Sequence, residues 1–282
     1  MPFFSIVTAT RNAAAALPQM LDSLARQSCR DFELIIQDGA SKDNTIALAE
    51  SYRSRLPHLV LNSEPDRGIY DAWNKALPHI NGQWVLFLGA DDQLADAEVL
   101  NRARSQMLFL PERVRYVAGD MVRLWPDAGI RQQVEAEVDQ VRKRLRRETP
   151  SPQSSLFYCQ RLFINNNFDD GLSIVGDYDF VCRTWLDDSQ GYKLGFTVTG
   201  MTWGGISSAP HKALRARWEF MKVANRYFGG IWTGERCREL SKGICLWFIC
   251  LLFGPNKAPA ILDKIRAWRG LPPHWTPSPP CE

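Results

Sequence analysis

At 282 residues and 45% hydrophobic content, the chain is long enough for one sizeable core with room for an appendage. Its 34 basic and 31 acidic residues leave a formal charge of +3, which lacks the positive excess that grips a nucleic-acid backbone, so no nucleic-acid partner is expected. Seven cysteines without any C-x-x-C spacing argue against a disulfide framework and a structural zinc site, and point to a reducing, cytoplasmic setting.

The start, Met1 to Thr8, has no charged and apolar leader pattern, which predicts a protein that is not exported. Phe3 to Thr10 reads as a buried strand, followed after Arg11-Asn12 by apolar positions Leu17, Met20, Leu21 and Leu24 at helical spacing. Phe32 to Gln37 is a second strand ending at Asp38-Gly39, and Asp43 or Asn44 can cap a helix carrying Ile46, Ala49 and Tyr52. Leu59 to Asn62 is a third strand, Ile69 to Ile80 a helix, Trp84 to Leu88 a fourth strand, and Asp96 to Leu110 another helix. Beyond Arg115 the expectation is a strand at Tyr116 to Ala118, a Gly119-Asp120 turn, and an amphipathic helix from Gln132 to Arg147. The basic run Arg142-Lys143-Arg144 within that helix reads as a solvated face.

Strands alternating with helices imply right-handed crossovers and an α/β fold with a mostly parallel central sheet covered on both faces. Ligands of such folds sit beyond the carboxyl ends of the strands. Here those ends are Thr8 to Asn12, Asp38-Gly39, Asp66-Arg67-Gly68 and Asp91-Asp92, all polar or acidic where burial would be costly.

Adjacent carboxylates repel unless a cation or hydrogen bonds offset them, so Asp91 and Asp92 are candidate ligands of a divalent metal, Mn²⁺ or Mg²⁺. The same pair could equally cap the next helix. At Gly176-Asp177-Tyr178-Asp179-Phe180 a second acidic cluster precedes a helical pattern; Asp177 is the candidate general base with Asp179 behind it, and an N-cap is the plainer reading. Asp38 can accept hydrogen bonds from a nucleoside, with Gly39 allowing close backbone approach. Trp203 to Ser208 forms a glycine-containing turn.

Taken together, Ser5 to Thr10, Gln37 to Asp43, Glu64 to Lys75, Leu88 to Asp92, Pro152 to Ser155, Gly176 to Phe180 and Gly204 to Ser207 resemble the family 2 nucleotide-sugar glycosyltransferases. The resemblance covers about residues 3 to 210 and implies a GT-A-type, Rossmann-like single domain with a C-terminal helical extension. By that resemblance Thr8 and Asp38 line the base and ribose, Asp91 contacts the ribose or diphosphate, Asp92 ligates the metal, and Asp177 is the base of an inverting displacement. The segment containing Asp66, Gly68 and Asn74 would approach the donor sugar, although Asn74 also suits an ordinary helix position. The chain departs from many relatives at Pro152, where they carry His, and at Gly89-Ala90, where they carry Asn-Ser.

The implied partners are a UDP- or GDP-sugar donor and a saccharide or lipid-linked saccharide acceptor. The rival functions are a metal-dependent nucleotidyltransferase and a noncatalytic carbohydrate-binding or scaffold protein. The expected organisation is a catalytic domain over 1–210, a helical extension over 211–270 and a Pro-rich tail over 271–282. Ile244 to Gly254 is apolar but about half the ~20 residues of a spanning helix, so it suits either peripheral contact with a membrane, at its inner face, or a buried helix.

Overall fold

A computed structural model describes residues 1–125, 130–202, 212–229, 234–254 and 257–268. The expected turn at Trp203 to Ser208 and the tail from Leu271 lie outside the described residues.

The first elements follow the apolar runs of the sequence. They are β1 (Phe4–Thr10), α1 (Leu17–Ala25), β2 (Phe32–Asp38), α2 (Thr45–Ser51), β3 (Leu59–Ser63), α3 (Ile69–Ala76) and β4 (Trp84–Phe87). Next come β5 (Asp92–Leu94), α4 (Val99–Met107), β6 (Tyr116–Trp125), β7 (Ile130–Val134) and the short α5 (Val141–Arg144). They are followed by β8 (Leu156–Cys159), α6 (Gly176–Thr184), β9 (Gly191–Thr202), α7 (Ala213–Phe228), α8 (Gly234–Phe253) and α9 (Ala258–Trp268).

The strands form one sheet in the order β3-β2-β1-β4-β8-β6-β9-β5, with β7 beside β6. The expected parallel arrangement holds across β3, β2, β1 and β4. It stops at β4, where β8 pairs antiparallel, as do β6 with β8 and β5 with β9. Burial explains the first half: β2 is enclosed along its whole length, and Leu17, Met20, Leu21 and Leu24 of α1 pack on the same core as Ile6, Leu34 and Ile36. Removing such side chains from water is the main stabilising term.

Two expectations fail here. Gly119-Asp120 is not a turn but lies inside β6, because a Cβ at 119 would stand 2.2 Å from Val198 Cγ2 of β9; the glycine serves close strand approach. The helix expected over 132–147 is instead β7 followed by the short α5. Val134, Ala136 and Val138 alternate at the period of extended chain, and only Val141 and Leu145 resume helical spacing. The basic run is also more than a solvated face. Arg142 Nη1 donates to the carbonyls of Cys182 (2.7 Å) and Trp185 (3.3 Å), satisfying acceptors that the end of α6 leaves open.

The chain divides into two compact units, one of residues 1–122 with 133–201 and one of residues 123–132 with 202–282. In the second unit α7 packs on α8, where Gly243 admits the Arg217 side chain, which a Cβ would meet at 2.8 Å. No helix among the described residues is long and apolar enough to cross a membrane.

Candidate active site

The loops after β1 and β2 are laced together by side chains. Asp38 is fully buried and uses all four acceptor positions internally. Its Oδ1 accepts from Thr10 Oγ1 (2.9 Å) and Ser41 Oγ (2.5 Å), and its Oδ2 from Ser41 N (2.8 Å) and Ser63 Oγ (2.8 Å). Burial pushes the carboxyl upward, but the hydrogen bonds from Ser41, Ser63 and Thr10 outweigh it and hold the group below the ordinary aspartate value. Asp38 thus pins the ends of three strands. Thr8 is likewise fully buried, and its Oγ1 has no partner. The adjoining turn stores strain, with Asn12 at φ 50° and Ala40 at φ 54°, and Ser41 Oγ accepts from Asn12 N at 2.7 Å.

After β3 the chain reaches Asp66, whose Oδ2 fills the space above Gly39; a Cβ at 39 would come within 2.2 Å of it. Asp66 Oδ1 accepts from Gly68 N (3.0 Å), and Gly68 takes φ 144°, a backbone state that side chains disfavour. This turn starts α3. Asp71 on α3 anchors it by accepting from Arg67 through side chain (2.8 Å) and backbone (3.0 Å), which holds the Asp71 carboxyl below its usual value. Asn74 serves the fold itself, since its Nδ2 donates to Phe168 O (2.9 Å) while its Oδ1 accepts from Phe168 N (2.8 Å).

Asp91 and Asp92 follow β4, and both carboxylates crowd the Cα of Gly89, where a Cβ would meet Asp92 Oδ2 at 2.8 Å and Asp91 Oδ1 at 3.0 Å. Asp92 is 6% exposed; Oδ2 accepts from Gly89 N (3.3 Å), and Oδ1 is buried without a partner. Burial, then the Asp91 charge, push the Asp92 carboxyl up to about 7. An orphaned, buried oxygen beside a second carboxylate is what a hard divalent cation would satisfy. Among the described residues no group of three or more His, Cys, Asp or Glu gathers at one point.

The second acidic cluster forms the first turn of α6. Asp177 keeps partial exposure, whereas Asp179 is 2% exposed. Burial raises the Asp177 carboxyl, and a hydrogen bond from Tyr70 Oη (2.9 Å) partly offsets that rise. Ser154 partly offsets the rise of the Asp92 carboxyl, and next to it Gln153 Oε1 accepts from Tyr158 Oη (2.5 Å). Tyr158 in turn feels the charge of Asp177. Sequence reasoning missed Ser154 and Tyr70 as individual residues, although both lie in the segments that carried the resemblance.

Such strand-end carboxylates on a half-parallel, half-antiparallel sheet define an α/β domain of the GT-A type. Residues 5–128 match the family described as Glycosyl transferase family 2. Over 102 residues it is 47% identical to a "PGL/p-HBAD biosynthesis glycosyltransferase" of Mycobacterium bovis, covering 36% of this chain and 40% of that protein. The match thus spans about two fifths of that relative's length. The fold is similar to that of Staphylococcus aureus TarS 1-349 in complex with UDP-GlcNAc, with TM-score 0.63 and 19% identity over 96% of this chain and 79% of that one. It is also similar to the mannosyltransferase PcManGT of Pyrobaculum calidifontis in complex with GDP-Man and Mn²⁺, with TM-score 0.60 and 16% identity over 95% of this chain and 80% of that one.

Proposed function

We propose that the protein is an inverting glycosyltransferase that moves a sugar from a UDP- or GDP-sugar to an acceptor hydroxyl in the assembly of a glycolipid or surface polysaccharide. The observation that carries this reading is the buried, unpartnered Oδ1 of Asp92 beside Asp91. The glycosyltransferase activity named for the mycobacterial relative and the nucleotide sugars held by neighbours of the same fold support it.

Asp91 and Asp92 would hold a divalent ion, Mn²⁺ or Mg²⁺, which when bound neutralises charge on the departing diphosphate. Asp66, packed over Gly39, and the turn at Gly68 would contact the donor. Asp177 accepts the proton of the acceptor hydroxyl as its oxygen bonds to the anomeric carbon and the bond to the diphosphate breaks on the opposite side. That single in-line exchange inverts the anomeric centre. Residues Asp38, Thr10 and Ser41 keep the loops beneath the donor fixed, so little ordering is left to occur on binding.

We infer further that α8 rests on an anionic membrane surface. Ile244, Trp247, Phe248, Leu251, Leu252 and Phe253 are all exposed by 39% or more and recur at helical spacing along α8. Exposed Arg215, Lys222, Lys257 and Lys264 lie on the helices before and after it or just ahead of the latter. Apolar residues flanked by cations suit the interface of anionic lipid. Five free cysteines among the described residues support work in a reducing compartment.

The deciding experiment is a thermal-shift screen of UDP- and GDP-sugars with Mn²⁺, followed by assay of nucleoside diphosphate release from any donor that stabilises the protein. Release that requires metal and is lost in Asp92→Ala and Asp177→Ala is expected. Use of a nucleoside triphosphate with pyrophosphate release would instead make it a nucleotidyltransferase, and function indifferent to both substitutions would make it a binding protein.

A further inference from the structure

Tyr70 lies in the first turn of α3, yet its hydroxyl reaches the base-bearing helix more than a hundred residues later in the chain. Tyr70 Oη stands 2.9 Å from Asp177 Oδ1 and 2.8 Å from the carbonyl oxygen of Ile174. A phenol has one proton to donate, so these two acceptors compete for it. The contact is built rather than incidental. The ring is 4% exposed and packs edge-on to Trp73 and stacked on Phe168. On its other side, a Cβ at Gly176 would fall 2.8 Å from Tyr70 Cδ2 and Cε2, so only glycine lets α6 begin this close to the ring.

We propose that Tyr70 is a positioning residue that holds Asp177 in one place in both of its protonation states. While the carboxylate is ionised, the phenol donates to it. Once Asp177 has taken the acceptor's proton, the new carboxyl O–H donates to Tyr70 Oη, and the phenolic proton turns to the Ile174 carbonyl. No proton leaves the tyrosine, and neither side chain has to move. The inference rests on the reading of Asp177 as the base. Tyr158 of β8 and Cys182 of α6 also feel Asp177, and burial raises both well away from neutral pH, the Cys182 thiol to about 12; Asp179 shares the first turn of α6 with Asp177. Neither Tyr158 nor Cys182 adds a charge at neutral pH, and the Tyr70 hydroxyl is a side-chain donor that favours the ionised form of Asp177.

The test compares the native chain with Tyr70→Phe, which keeps the ring and its packing, and with Trp73→Phe, which loosens the packing but keeps the hydroxyl. Two readouts are taken: nucleoside diphosphate release against pH for the donor found by thermal shift, and the carboxyl ¹³C titration of Asp177, assigned by its absence in Asp177→Asn. In Tyr70→Phe, kcat should fall about tenfold at unchanged donor KM, and both the acid limb and the carboxyl midpoint should rise by about one pH unit, since the bond that favoured the ionised form is gone. Trp73→Phe should lower the melting temperature while leaving both midpoints in place. If Tyr70→Phe titrates and turns over like the native protein, the positioning role is wrong. Full turnover by Asp177→Asn would instead remove the base assignment itself, an outcome the two readouts keep apart.

Discussion

Asn74 grips the backbone of Phe168 at both ends, its amide donating to the carbonyl and accepting from the N–H as a neighbouring strand would. The helix that follows Asp66 and Gly68 is thereby fastened to the loop leading into α6. Asn74→Ala leaves two backbone groups of Phe168 without partners, and the expected cost is about 2–3 kcal/mol. Urea unfolding should report it as a lower midpoint at unchanged slope. A loss of donor affinity with undiminished stability would show that Asn74 touches the sugar instead.

Asp92 places function against stability. Its unpartnered, buried oxygen is costly without a cation, so Asp92→Asn should raise the melting temperature of the metal-free protein by about 2–4 °C. The same substitution should abolish the further rise that Mn²⁺ and a nucleotide sugar give the native chain. An undiminished Mn²⁺-dependent shift in the variant would move the metal to other ligands.

Asp38 should make the fold acid-sensitive. A carboxyl held below its ordinary value in the folded state contributes stability that is present above the unfolded value and lost as pH falls toward the folded one. The expected loss therefore begins below about pH 4. In Asp38→Asn the acid-dependent part should flatten, and stability at pH 7 should drop by about 2 kcal/mol, because an amide cannot accept from all four donors. Denaturant midpoints measured from pH 3 to 7 for both proteins provide the check.

The apolar stripe of α8 gives a prediction independent of catalysis. Leu251 and Leu252 are 64% and 72% exposed, so replacing both by Glu should cost the fold little. Cosedimentation with vesicles containing phosphatidylglycerol should weaken about tenfold or more, since two leucines no longer enter the lipid. Equal sedimentation of variant and native chain would exclude this stripe as the attachment face.

The sequence disclosed the half of the molecule whose signals are local. Apolar runs at β1, β2 and β4, each broken by a polar or acidic end, announce both a parallel sheet and the rim where ligands collect. The antiparallel half was less plain: β5 and β8 have three and four residues, and β9 shows only the alternation of Tyr192, Leu194, Phe196 and Val198 with glycine and polar positions, not a continuous apolar run. Asp91, Asp92 and Asp177 stood out because charge beside apolar strands and helices demands an explanation. Tyr70 did not, because its partner is 107 residues away and nothing in its own segment distinguishes it from an ordinary core aromatic. Asn74 was visible as a polar helix residue, but only the fold shows that a backbone occupies its amide.

The rings of Tyr70, Trp73, Phe87, Phe163, Phe168 and Phe180 interlock between α3, β4 and α6. Close-packed interiors tolerate poorly a change on one side that the other does not match. Specificity in this scaffold should therefore be transplanted as a two-piece cassette, residues 64–87 together with 156–185. A chimera carrying either piece alone would inherit mismatched aromatic surfaces before it inherited a new substrate.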